Sequence, residues 1–253
     1  MTDFQRTAGR SAEASELDAS AVNHDETRCR LRRRRAVQWL VTACVILPLL
    51  ACKPSAEQAE RAAEQRRQHC LDNFCEGDVV PPHDQHTQTA FKRDGRWFVG
   101  PKEYGAGGAV VFYWPSKAPT LSEAAKGESP DGRIEVFIQR GTAGDHYENV
   151  RISEREGKIL ERDAARPGLV TYRVKRDPGD PNTYLLRVAT EFTGMGQTHP
   201  TLFCTTKVNP ACTTYLQWMP GIELYVRFEA KHGSDWPQIY SEIVRIVALI
   251  KEQ

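Results

Sequence analysis

Near the C-terminus, Ile222 to Phe228 alternate without a break. Ile222, Leu224, Val226 and Phe228 fall on one side, and Glu223, Tyr225 and Arg227 on the other. A strand repeats its side-chain direction every two residues, so this segment satisfies its apolar set only in a sheet with one dry and one wet face. The period then changes. Trp236, Ile239, Tyr240, Ile243, Ile246, Val247 and Ile250 recur at helical spacing to the end of the chain, with Ser234 or Asp235 as the cap and Pro237 in the first turn. A half-dry strand followed by a half-dry helix predicts that the helix stripe covers the apolar row of the sheet.

Other segments supply the remaining strands. Ala90 to Lys92 and Trp97 to Val99 flank Asp94-Gly95, the dipeptide of a tight hairpin turn. Gly105 to Gly108 reads as a flexible loop before a strand at Ala109 to Trp114, which Pro115 ends. Ile134, Val136 and Ile138 alternate within 133–140, and further strands are expected at 169–174, 183–189, 201–206 and 213–218. Strands grouped together with a helix at the end, rather than alternating with helices, predict an α+β class. We expect a mainly antiparallel β-sheet packed by the C-terminal amphipathic helix, in a single domain over 76–253.

The N-terminal part is of another kind. Residues 1–27 are polar and lack hydrophobic periodicity, and are expected to be disordered. Arg28, Arg30 and Arg32 to Arg35 precede an apolar run of 16 residues, Ala36 to Ala51, which contains Gln38, Thr42 and Pro48. A spanning helix needs about 20 apolar residues, so the run suits a signal peptide over about 28–51 better than an anchor. The order basic, apolar, then Leu49-Leu50-Ala51-Cys52 resembles a bacterial lipoprotein signal with its lipobox. That resemblance implies cleavage before Cys52, acylation of its thiol, and a lipid-anchored protein on the periplasmic side of the envelope. Lys53 directly after the cysteine implies, by the same resemblance, the outer membrane. A leader of 51 residues is longer than usual; a start at Val22 would leave one of ordinary length.

Residues 52–75 read as a lipidated N-terminus and tether. The stretch Lys53 to Gln68 holds good helix formers, yet only Ala56, Ala59 and Ala63 share a face, so a helix there would stand off or lie loosely on the domain. Eight of the 34 basic and six of the 33 acidic residues precede Cys52, which leaves 26 against 27. Near-neutral charge gives no reason to expect nucleic acid as a partner.

Beyond the leader and Cys52, four cysteines remain: Cys70, Cys75, Cys204 and Cys212. In an oxidising compartment they allow three full pairings, of which the local one is the simplest. Four thiolates on zinc are the rival reading, against which stands the wide Cys204 to Cys212 spacing.

Catalytic signatures are sparse. The chain has no Gly-x-Ser-x-Gly, no His-Glu-x-x-His and no Gly-x-x-x-x-Gly-Lys, and no enzymatic activity or cofactor is expected. His83, Asp84 and His86 are the weak metal candidates, on a polar loop after Pro81-Pro82. Large rings gather instead at Trp97, Tyr104, Tyr113 and Trp114, candidates for an interface because Tyr and Trp most often anchor one.

Phe91-Lys92-Arg93-Asp94-Gly95-Arg96-Trp97-Phe98-Val99-Gly100-Pro101-Lys102-Glu103-Tyr104, continued by Phe112-Tyr113-Trp114-Pro115-Ser116-Lys117, resembles a group of small bacterial lipoproteins. Some periplasmic lipoproteins of that build are immunity proteins encoded beside the lipase effectors of type VI secretion. The resemblance implies a protein that binds and neutralises a secreted phospholipase or lipase toxin. It transfers no residue roles. An envelope lipoprotein with a structural or small-ligand role is the alternative, and a metal-dependent hydrolase using His83, Asp84 and His86 a third.

Overall fold

The computed structural model describes residues 55–176, 182–192, 199–205 and 210–253. The leader over 1–51 and the acylation candidate Cys52 lie outside the described residues. Residues from Ser55 to Gln253 form one compact unit.

Eight strands make the main sheet: β3 (Ala109–Tyr113), β4 (Arg133–Arg140), β5 (Ile159–Arg166), β6 (Leu169–Lys175), β7 (Thr183–Ala189), β8 (Thr201–Thr205), β9 (Ala211–Met219) and β10 (Ile222–Glu229). They run antiparallel in the order β3-β4-β10-β9-β8-β7-β6-β5. β10 is central because its apolar row is continuous, and its neighbours match it in phase: Leu224 stands opposite Ile138 and Leu216, and Val226 opposite Val136 and Thr214.

Helix α3 (Trp236–Val247) covers that row, as its spacing predicts. Trp236, Ile239, Ile243 and Ile246 have no exposed surface at all. Burying each such side chain contributes about 1.5–3 kcal/mol. Two details differ from the sequence reading. Asp235 is the N-cap, but its side chain makes no capping bond, because its Oδ2 accepts from the Trp114 indole at 3.0 Å instead. The helix also stops short of Ile250, which packs on Gly100: a Cβ there would stand 3.0 Å from Ile250 Cγ1. The chain is thus led into a short terminal strand.

A smaller sheet adds to the same core. Strands β1 (Gln88–Arg93) and β2 (Arg96–Pro101) form the expected hairpin, and the terminal strand β11 (Lys251–Glu252) pairs with β2. Asp94 and Gly95 both take positive φ, 51° and 74°, as a two-residue hairpin turn of the right twist requires. Phe91 and Phe98 leave this sheet for the main core, with ring centroids 5.5 Å apart.

The helix expected near the N-terminus is α1 (Ala56–Asp72), opened by a capping box between Ser55 and Gln58. None of its residues is buried, yet its last turn is fastened. Gly95 N donates to Leu71 O at 2.9 Å, and Arg93 Nη1 to Asp72 O at 2.9 Å. Arg93 also donates to Ile138 O at 2.6 Å, so one guanidinium joins helix, hairpin and β4.

Two elements had no sequence forecast. Helix α2 (Glu148–Arg155) lays Val150 on Tyr172, Val174, Leu186 and Val188, on the face of the sheet opposite α3. Strand β5 lies at the sheet's edge and is exposed from Leu160 to Arg166. Both cysteine pairs are local and bonded, Cys70–Cys75 and Cys204–Cys212, the second directly across β8 and β9.

Candidate functional site: the open face of the sheet

Helix α2 covers the second face of the eight-stranded sheet only at its β6–β7 end. Over β4, β10, β9 and β8 the polar phase of each strand points outward, and in that phase stand rings. Phe137, Tyr225 and Tyr215 are direct cross-strand partners. Their centroids lie 6.1 Å apart for Phe137–Tyr225 and 4.9 Å for Tyr225–Tyr215. One row further, Phe203 stands opposite Thr213 and 4.7 Å from the Tyr184 ring. Phe137, Phe203 and Tyr215 are 37–39% exposed. A line of rings at this spacing is rigid, since each ring braces the next.

His146 closes the line from the loop before α2, stacked on Tyr215 at 5.9 Å. Beside it opens a cleft of about 230 Å³ lined by His146, Asn149, Leu186, Thr201, Phe203 and Tyr215 among others. Burial lowers the His146 pKa below its ordinary value, and the nearby Asp145 and Glu223 only partly oppose this. The imidazole is therefore neutral at neutral pH. Polar groups rim the rings. Glu223, almost wholly buried, accepts from Gln139 Nε2 at 2.8 Å, Arg133 pairs with Glu135 at 3.2 Å, and Arg227 is exposed. A desolvatable aromatic centre inside a polar border is the anatomy of a protein interface.

The four rings singled out in the sequence go elsewhere, with one exception. Tyr104 is a correction: it is 5% exposed, and its hydroxyl accepts from Arg245 Nη2 at 2.8 Å, so it belongs to the core. Arg245 Nε in turn donates to Glu242 at 2.9 Å, and Lys117 stands 3.4 Å from the same carboxylate. Trp114 is half-buried, held by Asp235 and by Lys117 over its ring at 5.9 Å. Trp97 is also half-buried, with Phe74 at 5.0 Å and Lys92 Nζ at 5.8 Å. Tyr113 stands opposite Arg133 and so shares the side of Phe137. The missed rings had a signal, namely a large aromatic in the polar phase of an alternating strand.

The metal candidates are engaged locally. His83 Nδ1 lies 2.8 Å from Pro81 O. Asp84 accepts from Thr87 Oγ1 at 2.7 Å and from His86 N at 3.0 Å, bonds that lower its pKa. Among the described residues, no group of three or more His, Cys, Asp or Glu side chains comes together to hold a metal. No helix among them is long and apolar enough to cross a membrane.

The chain matches no protein-family model and no curated protein. Among solved structures it is similar to Smlt3025, an immunity protein of the Stenotrophomonas maltophilia type IV secretion system. The two share 13% sequence identity with a TM-score of 0.47, over 71% of this chain and 98% of that one. A likeness at this level carries no assignment of function.

Proposed function

We propose that the chain is an immunity protein, which binds and neutralises a secreted toxin through the open face of its eight-stranded sheet. The observation that carries this reading is the line Phe137, Tyr225, Tyr215 and Phe203 beside the His146 cleft. Exposed rings on a sheet are held in place before a partner arrives, so little side-chain freedom is lost on binding. Aromatic anchors of this kind dominate the energy of protein interfaces.

The remaining parts of the reading rest on the sequence. The lipobox-like Leu49-Leu50-Ala51-Cys52 supports a lipid anchor on the periplasmic side, and Lys53 supports the outer membrane. Two disulfides suit an oxidising compartment. The resemblance over Phe91 to Lys117 points to a phospholipase or lipase as the toxin, delivered by a type VI system.

Co-expression of the full chain with such a toxin in the periplasm tests the reading. The wild type protects the cell, and the pair Phe203→Ala and Tyr215→Ala removes protection while the protein accumulates normally. Each ring alone is expected to cost at least about 1 kcal/mol of binding. Unchanged affinity in the double variant would show that the partner does not dock on this face.

A further inference from the structure

One cation sits in the row of the sheet that faces the core. Leu186 and Val188 of β7 point toward α2, so Arg187 between them points the other way, toward the 3-10 segment Ala230–Asp235. Its Nε is sealed from solvent without a hydrogen-bond partner. The same nitrogen lies 2.9 Å from where a Cβ would stand on Gly233, which glycine alone leaves free. Arg166, exposed on β5, reaches the neighbouring residue: its Nη1 lies 3.4 Å from Ser234 O. Two guanidiniums from different strands thus converge on Gly233-Ser234.

The acids near them are occupied. Asp235 accepts from the Trp114 indole at 3.0 Å, and Asp163 from Ala165 N at 2.9 Å. Neither makes an ion pair with Arg187 among the described residues. Burial first, and then the charge of Arg166, lower the Arg187 pKa, while Asp163 and Asp235 oppose them. A sealed donor without a partner costs about 1–3 kcal/mol, and like charges side by side add to it. An anion would relieve the charge.

We propose that Arg187 and Arg166 form a binding site for a phosphate group. With Nε closed off, Arg187 presents its Nη1 and Nη2 edge, which matches two oxygens of one anion, and Arg166 supplies the second cation. Two positive charges suit the roughly −1.5 to −2 of a phosphate monoester better than the single charge of a carboxylate. The same chemistry comes from a free phosphate or from a phosphate-bearing lipid headgroup. The site is separate from the open face and stands or falls independently of toxin binding.

Nuclear magnetic resonance on the full chain, following the amides of Gly233 and Ser234, tests the site with two probes at constant ionic strength: inorganic phosphate and glycerol 3-phosphate. A saturable shift is expected with phosphate and none with matched chloride. Arg166→Gln, at an exposed position, should keep the fold and weaken phosphate binding at least about tenfold, since it removes one of two charge-assisted partners. Arg187→Gln should abolish it. Tighter binding of glycerol 3-phosphate than of inorganic phosphate would assign the site to a headgroup, and the reverse order to the free anion. No saturable shift, an equal response to chloride, or unchanged binding in Arg166→Gln would overturn the site.

Discussion

The two faces of the eight-stranded sheet are made by alternate residues of the same strands, and they are filled in opposite ways. One carries Ile134, Val136, Ile138, Leu224 and Val226 and is sealed by α3 to near-zero exposure. The other carries Phe137, Tyr225, Tyr215 and Phe203 and keeps more than a third of three of these rings in solvent. Aromatic content therefore does not separate core from interface in this chain; strand phase does. Rings in the apolar phase stabilise the fold. Those in the polar phase are free to meet another molecule.

The contrast can be broken by substitution on either side. Trp236→Ala, on the sealed side, removes a wholly buried ring whose indole donates to Pro200 O, and should cost about 3–5 kcal/mol in denaturant unfolding. Replacing Cys204 and Cys212 together by serine reopens a short loop and should cost about 2–3 kcal/mol. On the open side, Phe203→Ala or Tyr215→Ala should cost less than about 1 kcal/mol of stability, because only cross-strand ring contacts are lost. A loss on the open side equal to that of Trp236→Ala would abolish the distinction.

Acidity sharpens the same comparison, with smaller effects. Burial pushes the Glu242 carboxyl up, but the hydrogen bond and charge of Arg245, with Lys117, outweigh it, and the folded pKa lies below its ordinary 4.5. The stability it contributes is present above pH 4.5 and lost as pH falls through the folded value. Glu242→Gln should flatten the unfolding profile there. On the open face, burial lowers His146 below 6.5, so its contribution is present above that pH and fades as acid protonates the ring. His146→Gln should remove the pH dependence of both stability and partner affinity between about pH 6.5 and 5. A profile identical to the wild type would exclude His146 as the titrating group.

The sealed side was legible in the sequence because long periodicity specifies it. Ile222 to Phe228 and the stripe from Trp236 to Val247 each declare their period, and Asp94-Gly95 names its own turn. α2 was silent, since Val150 is its one buried apolar residue, and β5 shows no alternation in Leu160 to Arg166. The open face was half visible: Tyr225 stands in the polar phase of the clearest strand. Its alignment with Phe137 and Tyr215, and the nearness of Phe203, depend on register between strands far apart in the chain, which one sequence leaves undetermined. Tyr104 misled because a tyrosine in a turn gives no phase to read, and Arg245, far along the chain, draws its hydroxyl inward.

A sheet of eight strands ends in two rows of unpaired backbone groups, and each such row invites a second copy of the chain to zip on. At β3 the polypeptide doubles back, with Thr120 N donating to Val111 O and Tyr113 N to Ala118 O, so that end is already taken. At β5 the side chains from Glu161 to Arg166 put acids and bases of both signs along the rim, where a neighbouring strand would have to strip their water. Many molecules crowded together can thus stay separate monomers rather than stack into filaments.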